Sequence, residues 1–315
     1  MKKIAVTCGD PAGIGPEIIA RFLAETPGAA EEIAAVGPRR WLETLPCAGV
    51  PVGDADFALS PGVPSADGQR VALAAMERAA AGTLAGEFAA VVTAPVNKAG
   101  LKSVGFAFPG QTEFFAARWG GVPVMAFGGG KMRVVLATWH IPLRDVPATL
   151  DFARIAHAVG QADFLAKKLG GAAGTASEKK AENAFPRIGV CGLNPHAGEQ
   201  GVLGNEEIEI IEPILAQLRP RFPGLSHCVP ADTIFRRHLL GEFDVVVALY
   251  HDQALAPLKT LEFDESVNIS LGLTHIRTSP DHGTAYDIAG TGVARAESFG
   301  NAVRVARLLC GGNET

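Results

Sequence analysis

Asp244 to Lys259 reads DVVVALYHDQALAPLK. Val245 to Leu249 form an unbroken apolar run, the pattern of a strand buried on both faces of a parallel sheet. The run closes on Tyr250, His251, Asp252 and Gln253. Ligands of open α/β sheets gather beyond the carboxyl ends of the strands, so His251 stands where a site is built. The pattern recurs twice: RVVLATWH runs from Arg133 to His140, and RIGVCGLNPH from Arg187 to His196. Three of the eight histidines therefore follow buried-strand candidates. One such histidine reads as a hydrogen-bonded structural residue. Three in corresponding places point to a shared site, because imidazole suits zinc and other divalent transition metals.

The chain has 315 residues, enough for two α/β domains or one large one, and 48% are hydrophobic, so a sizeable core needs no staples. A formal net charge of −5 gives no basic footprint for nucleic acid, although it leaves room for a local basic pocket. Cys8, Cys47, Cys191, Cys228 and Cys310 form no CxxC pair, which fits reduced thiols in a cytoplasmic protein. The N-terminal MKKIAVTCGDP carries too short an apolar run for a signal peptide or membrane span and is expected to be a first strand.

Strands are expected at 4–8, 34–36, 88–93, 122–127, 132–138 and 267–271, the fourth and fifth joined as a hairpin by Gly128 to Gly130. Helices are expected at 69–81, 150–169 and 205–218, the last burying Ile208, Ile211 and Leu215. Gly170 to Ala184 reads as a surface loop. This alternation gives an α/β fold class. GDPAGIGPE (Gly9 to Glu17) is a glycine-rich turn into a helix, but its spacing is not GxGxxG, and close backbone packing explains it better than an anion site. GFAFPGQT (Gly105 to Thr112) approaches a P-loop, with Gln111 in place of the lysine and Phe108-Pro109 inside the loop, so triphosphate binding is rejected. Its Gly110 to Glu113 step can still hold a phosphate with backbone amides and Thr112. Lys98 is open between a solvated lysine and a ligand, and Asp232 between a helix N-cap and a functional carboxylate.

If His140, His196 and His251 share one divalent cation, three neutral ligands leave it an open position and Lewis acidity toward an alcohol or ketone oxygen. Thr112, Lys259, Asn268 and Arg277 near strand ends suit a small anionic substrate. Asp252 and Asp232 are candidates for orienting the imidazoles from behind.

HGTAYDIAGTG, from His282 to Gly292, resembles the HGSAPDIAG-type segment of the isocitrate and isopropylmalate dehydrogenase superfamily, which wraps the adenosine of NAD without GxGxxG. The ordered set GDPAGIGPE, TAPVNK, PGQTEFF, HIPL, NPHAGE, ADTIF, YHDQ, VNISLGL and IRTSPDHGTA is similar to the 4-hydroxythreonine-4-phosphate dehydrogenase family of the vitamin B6 pathway, over nearly the whole chain.

The resemblance implies two α/β/α domains around a central cleft. Residues 1–125 with 278–315 make the cofactor side, and residues 126–277 the metal, substrate and dimerisation side. It implies His140, His196 and His251 as ligands of zinc, magnesium or cobalt, and substrate contacts at Gln111, Thr112, Lys259, Asn268 and Arg277. His282, Gly283, Thr284 and Asp287 would meet NAD or NADP, with Lys259, Asp232 or a metal-bound water as the base. It also implies a cytoplasmic homodimer with the site at the subunit interface, for which His251 is expected to reach across while His140 and His196 stay together.

The implied reaction oxidises 4-phosphohydroxy-L-threonine at C3, and the resulting β-keto acid decarboxylates. A 4-phosphothreonate or 4-phosphoerythronate dehydrogenase keeps every motif, whereas a metal-dependent hydrolase or a non-catalytic metal-binding protein has no use for HGTAYDIAG. One departure stands out: the family's usual GHTE histidine is Gln111 here, which keeps a donor but cannot become cationic.

Overall fold

The structure, a computed structural model, describes residues 2–170 and 185–311, so the loop expected at 170–184 lies beyond the described residues from 171 onward. In chain order the strands are β1 (Lys3–Thr7), β2 (Ile33–Gly37), β3 (Ala48–Pro51), β4 (Phe88–Thr93), β5 (Gly121–Gly128), β6 (Val134–Leu136), β7 (Ile188–Cys191), β8 (Leu225–Val229), β9 (Val245–Ala248), β10 (Val267–Leu273) and β11 (Ile276–Pro280). The chain forms two compact units, Met1–Pro123 with Val267–Thr315, and Val124–Ser266.

The first unit orders its strands β3-β2-β1-β4-β11-β10. All pairs are parallel except β10 with β11. The runs in β1, β2 and β4 are buried almost without interruption, as strands covered on both faces must be. Helix Ala66–Leu84 packs on β1, β2 and β4, and helix Glu297–Cys310 on β4, β10 and β11. Ser65 starts the former, its Oγ accepting the Gly68 N–H at 3.1 Å. Phe299 of the latter meets Phe22 of helix Gly15–Glu25 edge-on at 5.4 Å. Because β11 pairs with β4 at Ile276 and Ala90, residues 267–277 lie in this unit, whereas the sequence reading ran the middle domain to Arg277.

The second unit orders its strands β5-β6-β9-β7-β8, with β5 entering at Val124. β5 and β6 form the hairpin expected around Gly128 to Gly130, pairing Ala126 with Val135, and the remaining pairs are parallel. Phe127, Leu136, Val246, Ile234 and Leu258 lie in its buried core. The expected helix at 205–218 is a π turn, Glu207–Ile211, followed by the α-helix Glu212–Leu218. Ile211 and Leu215 are buried as expected, but Ile208 faces outward at 51% exposure, and Glu207 takes the inward position at 2%. A π turn closes i→i+5 bonds, so it shifts the phase of an apolar stripe read with the α period.

Among the described residues, no helix is long and apolar enough to cross a membrane. All five cysteines are free thiols. Burial pushes the Cys8 thiol up to about 12, which leaves it protonated and inert.

His238, buried on helix Ala231–Leu239, ties β6 to the turn before β9. Its Nε2 accepts the Arg133 N–H at 3.0 Å, and its Nδ1 donates to the Phe243 carbonyl at 2.8 Å. These partners specify the neutral ring, and desolvation by burial lowers its pKa from 6.5. A base with a depressed folded pKa contributes fully above its unfolded pKa and loses that contribution as pH falls below it. The expected difference in unfolding free energy between the parent and His238→Leu is about 1–3 kcal/mol near neutrality. In urea titrations it should shrink as the buffer is taken from about pH 7.5 toward about pH 5.

Candidate active site

In the first unit, Arg277 on β11 is 4% exposed. Its Nε and Nη2 donate to Thr93 Oγ1 at the end of β4, at 3.1 and 2.7 Å. Its Nη1 donates to Asn268 Oδ1 at 3.3 Å and to Ser270 Oγ at 3.4 Å, both on β10. Ser270 Oγ is also 3.0 Å from Thr112 Oγ1, on helix Gln111–Trp119. Every one of these hydrogen-bond partners of the guanidinium is neutral. Desolvation lowers Arg277 to about 10 while Glu113 pulls the other way, so the group stays cationic at neutral pH. A buried guanidinium bonded only to neutral oxygens is a prepared receptor for an anion.

Gln111 follows an N-cap, Gly110, that makes no side-chain cap, and its buried Oε1 has no hydrogen-bond partner, an unmet bond that a ligand can complete. Thr112, Asn268 and Arg277 thus share one network, with Gln111 next to it. The sequence reading missed Thr93 and Ser270. Their only signal was a hydroxyl on an otherwise apolar strand.

The second unit carries the three histidines. His251 is the first residue of helix His251–Glu262, and its Nδ1 lies 2.7 Å from Asp252 Oδ1. An ionised carboxylate only accepts, so Nδ1 carries the hydrogen and Nε2 keeps a lone pair suited to a metal. The His140 ring centroid is 5.5 Å from that of His251. His196 sits in the turn Pro195–Gly201, with Nδ1 3.5 Å from Glu199 Oε2.

Both His140 (φ 28°) and His196 (φ 53°) hold left-handed backbone, which costs a non-glycine residue roughly 1–2 kcal/mol and concentrates at functional sites. Within this chain the His140 ring stands beside that of His251, the histidine expected to reach across to a partner subunit. Among the described residues, no three His, Cys, Asp or Glu side chains are grouped to hold a metal ion. The donor chemistry, two neighbouring imidazoles with one tautomer set by Asp252, nevertheless fits a divalent cation.

Lys259 is half-buried in the last turn of the same helix, its Nζ 5.4 Å from the Phe263 ring centroid. Asp232 is exposed in the first turn of helix Ala231–Leu239. It is not the N-cap: Pro230 holds that position and no side chain caps it, so Asp232 acts on this helix through the dipole. Gln253, left without a role in the sequence reading, ties two strand ends together by accepting the Leu249 N–H and donating to the Gly192 carbonyl, both at 2.7 Å.

In the first unit, the segment carrying His282, Gly283, Thr284 and Asp287 is fastened to the glycine-rich turn after β1. The Thr284 carbonyl accepts the Ile14 N–H at 2.9 Å, and a Cβ on Gly13 would stand 2.7 Å from that carbonyl oxygen, so the contact requires glycine. Tyr286 donates its hydroxyl to the buried Asp10 carboxylate, which also accepts from Gln69 at 2.6 Å. Glu17 accepts the Gly290 N–H at 2.7 Å. Gly283 and Asp287 are exposed, and the His282 Nδ1 lies 3.3 Å from the Gly283 carbonyl.

The family model described as Pyridoxal phosphate biosynthetic protein PdxA matches residues 17–306. The chain is 40% identical to 4-hydroxythreonine-4-phosphate dehydrogenase of Thioalkalivibrio sulfidiphilus, over 96% of both sequences. It is 38% identical to D-threonate 4-phosphate dehydrogenase of Pectobacterium atrosepticum, over 98% of this chain and 99% of that protein. The crystal structure of 4-hydroxythreonine-4-phosphate dehydrogenase from Klebsiella pneumoniae superposes with a TM-score of 0.82 at 36% identity, covering 99% of this chain and 100% of that one. The fold alone is shared with a beta-decarboxylating dehydrogenase from Thermococcus kodakarensis, at a TM-score of 0.50 and 16% identity, over 98% of this chain and 82% of that one. Matched from Glu17 to Ala306 and along nearly its whole length by these relatives, the chain belongs to the PdxA family of pyridoxal phosphate biosynthetic proteins.

Proposed function

We propose that this chain is a dehydrogenase acting in pyridoxal phosphate biosynthesis. It oxidises the C3 hydroxyl of 4-phosphohydroxy-L-threonine to 2-amino-3-oxo-4-phosphooxybutanoate, with NAD or NADP as hydride acceptor. The β-keto acid then loses CO2 and gives 3-amino-2-oxopropyl phosphate. The observation that carries this reading is the buried Arg277, cationic and hydrogen-bonded to Thr93, Asn268 and Ser270, beside Thr112. That arrangement fits the anionic end of a small phosphorylated substrate.

A divalent cation, zinc, magnesium or cobalt, held by His140, His196 and His251, would supply Lewis acidity toward the C3 oxygen. Asp252 keeps the His251 ring in one tautomer. Gln111, Thr112, Asn268 and Arg277 orient the substrate, while Lys259 or Asp232 takes the hydroxyl proton. His282, Gly283, Thr284 and Asp287 line the nicotinamide cofactor's place. The same reading carries a homodimer with the site at the subunit interface.

The Pectobacterium relative supports a second reading, oxidation of 4-phospho-D-threonate by the same residues. Substrate-dependent NADH formation separates the two when chelator-treated protein is resupplied with each metal in turn. The expected result is a kcat/KM at least about tenfold higher for 4-phosphohydroxy-L-threonine than for 4-phospho-D-threonate or 4-phospho-D-erythronate, a difference of about 1.4 kcal/mol. The reverse order assigns the chain to the phosphothreonate reaction, and full turnover without metal removes the cation from the scheme.

Arg277→Lys keeps the charge but loses the planar fork. It is expected to lower kcat/KM by about ten- to a hundredfold through lost charge-assisted bonds, leaving NAD affinity measured by calorimetry unchanged. Gln111 does not titrate, so substrate affinity carries no protonation step from this position. Gln111→His should add an acidic limb to the affinity profile near the ordinary imidazole pKa of about 6.5. An unaltered profile means that position 111 does not touch the phosphate.

A further inference from the structure

The turn that presents His196 is an uncommon piece of backbone. His196, Ala197, Gly198, Glu199 and Gln200 all have positive φ, between 43° and 83°. Only one of the five is glycine, so left-handed backbone here works against intrinsic preference. Its ends are tied by backbone bonds from Ala197 N–H to the Asn194 carbonyl at 3.1 Å, Val202 N–H to the Glu199 carbonyl at 3.2 Å and Leu203 N–H to the Gly198 carbonyl at 3.0 Å. Such a conformation persists only where the surroundings over-determine it.

Those surroundings converge on one carboxylate. Glu207 Oε1 accepts the backbone N–H groups of Leu193 and Asn194 at 2.8 and 2.7 Å. Its Oε2 accepts Asn194 Nδ2 at 2.9 Å, and the same amide donates to Glu206 Oε2 at 2.7 Å. The turn closes over this carboxylate so tightly that a Cβ on Gly198 would stand 2.8 Å from Glu207 Oε2. Glu207 is the residue the π turn rotates inward. A regular helix, with Ile208 inward, would leave this place without its acceptor. π turns recur at functional sites for this kind of reason.

We propose that Glu207 is the positioning residue for His196: its carboxylate gathers the Leu193 and Asn194 donors and holds the left-handed turn that presents the imidazole. This rests on the reading of His196 as a metal ligand. The chemistry singles out a carboxylate, because both oxygens accept, whereas an amide at this place sets N–H against N–H. Glu207 bonds the backbone of Leu193 and Asn194 and the Asn194 side chain, and acts through the turn that carries His196.

The test is a cobalt(II) titration of the chelator-stripped full-length protein, followed by visible absorption, well below the melting temperature. Glu207→Gln is expected to weaken cobalt affinity about ten- to a hundredfold, as loss of a group orienting a metal ligand does. Asn194→Ala, which keeps the two backbone donors on Glu207, is expected to weaken it less, by about threefold or more, and serves if Glu207→Gln does not fold. In the background of His196→Ala, Glu207→Gln should cost little further affinity, because the two act as one unit. Parent-like affinity in both single variants overturns the proposal. Additive loss in the double variant also overturns it, since Glu207 then acts on the fold at large. If His196→Ala itself binds cobalt like the parent, the ligand assignment falls and the proposal with it, an outcome the other arms do not produce.

Discussion

A guanidinium removed from water remains charged, and its environment must answer for that. Arg277 is answered by hydroxyls and an amide: Thr93 from β4, Asn268 and Ser270 from β10, and Thr112 one bond further on. Burying a cation among neutral acceptors is costly compared with pairing it to a carboxylate. The neighbouring strands of the first unit accept that cost at their polar positions. The buried runs on either side of these residues supply the stability that makes it tolerable. This reading explains why polar residues interrupt β10 at Asn268 and Ser270, where an apolar strand would pack better.

The second unit handles strain with the opposite charge. The polypeptide bends into left-handed backbone at His140 and through His196 to Gln200, and a buried carboxylate gathers the amides behind the longer of the two bends. In both units a side chain of an acid or base residue is withdrawn from water and surrounded by groups of the complementary kind. The guanidinium leaves a partner wanting, and the carboxylate is filled by its own chain. The first arrangement suits recognition and the second suits scaffolding, which is why the chemistry is assigned to one and the geometry to the other.

Most of the strand framework was legible in the sequence. Phe88 to Thr93 has the same bounds in both readings, and the β5–β6 hairpin and the run before His251 appear because continuous apolar segments have few other places to go. The α/β class follows from the same runs. Less was legible where local rules conflict. Asp232 is a strong capping residue by type, but Pro230 already ends the preceding extended segment and takes the position. Ile208 is an apolar residue in phase with an α-helix, and the π turn removes it from that phase.

The candidate site residues were read from strand ends and recognised motifs. Thr93, Ser270, Gln253 and Glu207 were not, because a buried polar residue that supports another is known only through the partner it reaches. His251 shows a milder version: the sequence puts it after a strand, and the fold makes it the start of a helix.

The fastening of the segment around Thr284 and Tyr286 to the turn after β1 has a consequence for the thermodynamics of docking. Ordering a loop residue costs about 1–2 kcal/mol of conformational entropy, and here Asp10, Ile14 and Glu17 settle that entropy when the chain folds. A molecule arriving on this segment meets a surface already in place, so association proceeds closer to lock-and-key than to coupled folding, and its heat-capacity change reports contact area rather than loop closure.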